Sequence, residues 1–203
     1  MSVRRLHHQQ PESFVPSGET LAFADLAISR YPAGRQASAV IPLLWKIHEQ
    51  DGWICEPAIR WVADRLSMPY IRVLEVVTFY TMFNLSPPGT HFLQVCTTTP
   101  CWLRGSDKVV EACKHKIGPE STVRADGKFS WMEVECLGAC VNAPTIQLRS
   151  DFYEDLDYDK TIALIEALER GEIPKPGSAV GRHSSEPAGG ATTLTDLSVG
   201  GDD

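Results

Sequence analysis

Residues 129–140 read Phe129-Ser130-Trp131-Met132-Glu133-Val134-Glu135-Cys136-Leu137-Gly138-Ala139-Cys140. Ser130, Met132, Val134 and Cys136 alternate with Phe129, Trp131, Glu133 and Glu135, which is the period of a β-strand. The strand runs directly into a C-x3-C pair. Asp126-Gly127-Lys128 just before it is a turn signal. A second stretch repeats the arrangement: the short apolar strand His91–Val95 leads into Cys96-Thr97-Thr98-Thr99-Pro100-Cys101, a C-x4-C pair. Each pair is expected on a loop just past a strand. If the two strands are parallel neighbours, both loops meet at one edge of the sheet, where α/β folds place their sites.

Around these strands the chain reads as α/β over residues 89–173. Ser106–Ile117 carries Val109, Val110, Cys113 and Ile117 at helical spacing, and Gly118-Pro119 ends it. Thr145–Leu148 and Phe152–Glu154 are further strands, and Ile162, Leu164, Ile165 and Leu168 mark a closing helix. Residues 17–88 read instead as a small bundle of four helices. Ser17 caps the first, over Thr20–Arg30. Ser38 caps the second, with Pro42 in its first turn. Pro57 opens the third, and Ser67 caps a fourth from Pro69 to Phe83. Pro87-Pro88-Gly89 marks the boundary. Residues 1–16 read as a loose N-terminus. Residues 174–203 read as a flexible tail rich in Gly, Pro and Ser, with too little apolar surface to offset chain entropy.

Composition excludes several classes. The 203 residues hold 19 Lys and Arg against 26 Asp and Glu, a net charge of −7, the wrong sign for binding nucleic acid. The net charge is zero over residues 1–88, −4 over 89–170 and −3 over 171–203. The longest stretch without Lys, Arg, Asp or Glu, Val76–Leu103, is broken by Pro87, Pro88, Gly89 and Pro100, so direct membrane insertion is not expected. Neither an apolar secretory segment nor an Arg- and Ser-rich transit peptide opens the chain. A reducing compartment is therefore expected, with the six cysteines as ligands or free thiols.

Four converging thiolates can hold an iron–sulfur cluster or a zinc ion. A two-iron cluster is wider than one ion and accepts ligands from separate loops. Zinc usually takes tighter C-x2-C knuckles, although C-x4-C lies within its range. The Thr97–Thr99 hydroxyls and the backbone freedom of Gly138 supply donors to sulfur, which favours the cluster. On spacing alone, a 2Fe–2S cluster is preferred, with zinc and a structural or disulfide role as alternatives. A Rieske centre lacks its two His ligands, and a thioredoxin-type redox site lacks C-x-x-C. Cys55 and Cys113 read as buried thiols, and His7 and His8 as solvated. The acidic run Asp151, Glu154, Asp155, Asp157 and Asp159 reads as a solvated loop and helix start. Glu133 and Glu135 place negative charge near Cys136, which disfavours reduction and predicts a low potential. No G-x-G-x-x-G follows a strand and no nucleophile–base motif is present, so no catalytic residue is assigned.

The pair C-T-T-T-P-C and C-L-G-A-C, preceded by Gly34-Arg35-Gln36-Ala37-Ser38-Ala39-Val40 and by Phe79-Tyr80-Thr81-Met82-Phe83, closely resembles the E-subunit family of NADH-quinone oxidoreductase. This is the flavoprotein-2 type component of respiratory complex I. The resemblance covers about residues 17–173 and implies a helical bundle followed by a thioredoxin-like α/β domain holding one 2Fe–2S cluster. Cys96, Cys101, Cys136 and Cys140 match the family's iron ligands. The resemblance also implies an electron-transfer subunit of a proton-translocating oxidoreductase. Its partners would be the flavoprotein subunit carrying FMN and the NADH site, and a large iron–sulfur subunit. The flavin would divide the electron pair of NADH, one electron resting on this chain. The location implied is peripheral, on the cytoplasmic side of the bacterial inner membrane, or the matrix side if mitochondrial. Related NAD-linked hydrogenases and formate dehydrogenases reuse this subunit type.

Overall fold

The computed structural model describes residues 4–187, 189–190 and 192–193. They form two compact units, divided between Pro88 and Gly89.

The first unit is built from α1 (Gly18–Ser29), α2 (Val40–Asp51), α3 (Glu56–Leu66) and α4 (Tyr70–Phe79). Ser17 caps α1 by accepting a hydrogen bond from the Thr20 amide at 3.0 Å. Gln50 on α2 accepts from the Ser17 amide and the Thr20 hydroxyl, at 2.9 and 2.7 Å, and ties the two helices together. Leu43, Leu44 and Ile47 of α2, Ile59 and Val62 of α3 and Val73 of α4 are buried in one core. Burial of each contributes about 1.5–3 kcal/mol.

Three local expectations are corrected here. Ser38 lies within a 3-10 turn, Gln36–Ala39, and does not cap α2. Ser67 adopts a left-handed conformation (φ 53°) that ends α3; it does not start α4. The fourth helix stops at Phe79, because Tyr80 is extended. Beyond it, the Arg4 guanidinium donates to the carbonyls of Val77, Thr78 and Tyr80 at 3.2, 3.2 and 2.8 Å, and also to that of Phe83. Arg4 thus satisfies helix-end acceptors that have no partner within the helix. The expected loose start is therefore pinned from residue 4: the His7 amide also bonds the Leu85 carbonyl, and Leu6 and Phe14 pack on the core.

The second unit holds a mixed five-stranded sheet in the order β2-β1-β3-β4-β5. Its strands are β1 (His91–Cys96), β2 (Phe129–Val134), β3 (Ile146–Leu148), β4 (Asp151–Glu154) and β5 (Gly177–Ser178). The β1–β2 pair is parallel, with Leu93 opposite Trp131 and Cys96 opposite Val134. The β3 strand runs antiparallel to β1 and forms an antiparallel hairpin with β4. Its helices are α5 (Thr99–Leu103), α6 (Ser106–Lys116) and α7 (Tyr158–Glu169). Leu93, Val95, Trp131 and Ile146 form one core with Val109 and Cys113 of α6 and Ile165 of α7. The Trp131 indole is fully buried and donates to the Gly118 carbonyl at 2.9 Å. At Gly89 a Cβ would sit 2.5 Å from the Phe129 carbonyl carbon, so only glycine lets the chain enter the sheet there.

The expected flexible tail is not loose over its first part. The β5 strand pairs in parallel with β4, and Arg182 is ion-paired to Asp155. Asp155 therefore departs from the expected solvated run: it is buried, in a left-handed conformation. Asp157 caps α7, as acids at a helix start do. The remaining tail positions, 188, 191 and 194–203, lie outside the described residues.

Candidate metal centre

Parallel β1 and β2 end level with each other, so the segments that follow them leave the sheet at the same edge. Cys96 is the last residue of β1 and is buried. Its amide donates to the Thr145 carbonyl at 3.1 Å, which fixes the loop ahead of β3 against it. Cys101 lies in the short helix α5 and not on the expected loop; Pro100 in the first turn starts that helix. Cys136 follows β2 by two residues and is exposed. Cys140 opens a 3-10 turn, Cys140–Asn142, and is half-buried.

The sulfurs form two linked pairs. Cys136 and Cys140 lie 3.4 Å apart, sulfur to sulfur, well beyond a covalent S–S bond. All six cysteines are free in the structure. Cys96 and Cys101 interact as the second pair, and Cys140 lies near enough to both to influence their charge. The two segments also reach across to each other. The Leu137 amide, from the C-x3-C segment, favours the Cys96 thiolate. The Thr98 hydroxyl, from the C-x4-C segment, lies 3.3 Å from the Cys96 sulfur and also serves Cys136. Gly138 adopts φ +82°, and its amide favours the Cys136 thiolate.

These donors set the protonation of the thiols. Burial pushes the Cys96 thiol up, but the Thr98 hydroxyl and the Leu137 and Thr98 amides outweigh it and hold it below the ordinary value. The Gly138 amide, with Cys140 and Thr98, does the same for Cys136. Cys101 is pushed up to about 12, first by burial and then by the hydrogen bond and charge of Cys96. Cys140 is raised by its contact with Cys136 and by burial. Within each pair, then, one thiol is shifted toward ionisation and the other away from it.

This donor set fits a cluster of two irons, which takes thiolates in pairs and benefits from N–H donors to sulfur. Among the described residues, no group of three or more His, Cys, Asp or Glu is placed so that it could hold a metal ion. Sequence reading missed several members of the surroundings. The Thr145 backbone partly offsets the rise of the Cys101 thiol. The Thr145 hydroxyl and the Asn142 side-chain oxygen are buried without a hydrogen-bond partner among the described residues. Neither residue carries a periodic or motif signal. Cys55 lies in the core of the first unit and Cys113 in that of the second, where burial pushes its thiol up to about 12. Glu133 and Glu135 are exposed beside the site.

The model of the thioredoxin-like [2Fe-2S] ferredoxin family matches residues 24–169. The chain is 50% identical over 200 residues to an NADH-quinone oxidoreductase E subunit (number 1) of Rhizobium meliloti (strain 1021), covering 96% of this chain and 73% of that protein. It is 52% identical over 152 residues to the NADH-quinone oxidoreductase E subunit of Rickettsia bellii (strain RML369-C), covering 74% of this chain and 91% of that protein. A solved NAD+-reducing [NiFe]-hydrogenase in the air-oxidized state shares the fold, with a TM-score of 0.58 and 18% identity over 67% of this chain and 23% of that one. With four free cysteines at one edge of an α/β sheet, and a match over most of its length, the protein belongs to the thioredoxin-like [2Fe-2S] ferredoxin family.

Proposed function

We propose that Cys96, Cys101, Cys136 and Cys140 hold the family's 2Fe–2S cluster, and that the chain is the electron-transfer subunit of an NADH:quinone oxidoreductase. The observation that carries this reading is that parallel β1 and β2 end level, which brings both cysteine pairs to one edge of the sheet, with the Cys136 and Cys140 sulfurs 3.4 Å apart. The relatives in Rhizobium and Rickettsia support the choice of parent enzyme. When bound, the cluster supplies a one-electron couple.

The chain's own residues give that couple its setting. Cys96 and Cys101 are buried and anchor the inner side. Cys136 is exposed and leaves an open side. Trp102, Leu103 and Val141 are 64%, 71% and 63% exposed, and each is adjacent or next but one to a ligand cysteine. In the assembled enzyme this rim would seat the FMN- and NADH-binding flavoprotein subunit, with the large iron–sulfur subunit completing the module. Among the described residues no helix is long and apolar enough to cross a membrane. A peripheral place on the cytoplasmic side of a bacterial inner membrane, or the matrix side in a mitochondrion, goes with this role.

Anaerobic purification of the full chain tests the reading. A visible band that bleaches with dithionite, and co-purification with a flavoprotein, are expected. A colourless chain holding one zinc would contradict it, and a hydrogenase subunit in the complex would reassign the parent enzyme.

A further inference from the structure

Residues 177–186 lie beyond the family-matched part of the chain, and they bind back onto the turn that carries Cys140. We infer that this segment is a strap that fixes that turn, and that Arg182 is its positioning residue. The role of the turn in holding iron rests on the ligand assignment proposed above.

The strap begins as β5, where the Ala179 amide donates to the Glu154 carbonyl at 2.9 Å. Ser178 donates from its hydroxyl to Asp155 at 2.6 Å, and the same oxygen accepts from the Arg182 amide at 3.2 Å. The Arg182 guanidinium then makes three kinds of contact. It pairs with both Asp155 oxygens, Nε at 3.0 Å and Nη2 on the other oxygen. It donates to the Val141 carbonyl at 3.1 Å, one residue past Cys140. It closes its own loop by donating to the Glu186 carbonyl at 3.1 Å. Further along, the Ser184 carbonyl accepts from the Asn142 side chain at 2.7 Å, two residues past Cys140. The Arg182 and Asp155 side chains are 10% and 6% exposed. A buried, multiply bonded pair has one geometry, and removing one partner strands the other. The turn's local bonds are two, Asn142 amide to Ala139 and Ala143 amide to Cys140. From the end of β4, the Asp155 amide donates to the Asn142 carbonyl at 2.7 Å and the Glu154 carboxylate accepts from the Asn142 side chain at 2.8 Å. The strap adds the Val141 and Ser184 bonds from about 40 residues away in sequence, and holds Asp155 itself through Arg182.

The test uses the full chain carrying its cluster. Groups behind metal ligands typically change metal affinity about 10–100-fold, so Arg182→Ala is expected to lose visible absorption to an iron chelator about tenfold faster than the unaltered chain. Its EPR spectrum in the reduced state shifts as well. Arg182→Lys keeps the charge but cannot bridge carboxylate and carbonyl together, and falls between. Arg124→Ala breaks ion pairs to Asp126 and Glu169, lowering Tm without moving the EPR spectrum. Hydrogen exchange at the Asn142 and Ala143 amides reads the turn directly. Unaltered exchange in Arg182→Ala overturns the strap; if that variant does not fold, unaltered exchange in Arg182→Lys does so. Faster exchange with an unaltered cluster lifetime and spectrum upholds the strap and overturns Cys140 as a ligand.

Discussion

Replacing Gly138 by alanine perturbs the site through one dihedral angle. Gly138 sits at φ +82°, and a Cβ added there meets nothing within 4 Å, so the cost is conformational and not a clash. Holding an L-residue in the left-handed region costs about 1–2 kcal/mol. Restricting the unfolded chain with alanine returns about 0.4–1 kcal/mol. The net loss is about 1 kcal/mol, or about 4 °C in Tm for a unit of this size. Because the Gly138 amide favours the Cys136 thiolate, the strained peptide also disturbs that donor. The assay is calorimetry of the loaded chain together with EPR of its reduced state. Gly171→Ala is the control: it shares φ +81° and open space but lies after α7. Both variants should melt lower, and only Gly138→Ala should shift the g-values. Gly138→Asn, which tolerates the left-handed region better, should recover part of the loss. A Gly138→Ala spectrum identical to that of Gly171→Ala would refute the donor role.

Replacing Glu133 and Glu135 by Gln removes negative charge beside the site, so the midpoint potential in a redox titration should rise, more at low salt; an unchanged or lower midpoint refutes the electrostatic reading. Trp131→Ala empties the centre of the second core and orphans the Gly118 carbonyl, and should lower stability by about 3–5 kcal/mol in denaturant titration. Asp126 is held down at about 2, chiefly by its hydrogen bond from Arg124. Its folded value is depressed, so its contribution is present above the unfolded value, about 4, and is lost as pH falls through about 2. Asp126→Asn should therefore flatten the fall in Tm over that acid range and leave the slope near neutrality unchanged.

Local chemistry made much of this molecule readable. The alternation from Phe129 to Val134 and the apolar spacing of Val109, Val110 and Cys113 depend on neighbours in sequence, and both became the elements they specify. The two cysteine spacings are local as well, each pair following one strand. What the sequence concealed was long-range pairing. Arg4 reads as one more basic residue in a loose start, yet its acceptors lie 73 to 79 positions away. Asp155 reads as part of an acidic run, yet Arg182 holds it buried from 27 positions on. Neither pair alters composition or periodicity. The α5 helix escaped notice because five residues with Pro in the first turn are too short to show a helical period. Ser67 carries the residue type of an N-cap but sits too early for one, ending α3 instead.

Iron and acid-labile sulfide, counted per chain in six Cys→Ser variants, bear most directly on the assignment of the centre. The unaltered chain, Cys55→Ser and Cys113→Ser should each carry two irons and two sulfides, by the stoichiometry of a 2Fe–2S centre. Cys96→Ser, Cys101→Ser, Cys136→Ser and Cys140→Ser should each lose them or show a changed reduced spectrum. Full loading with an unaltered spectrum in any of those four, or a single metal without sulfide in the unaltered chain, would contradict the account.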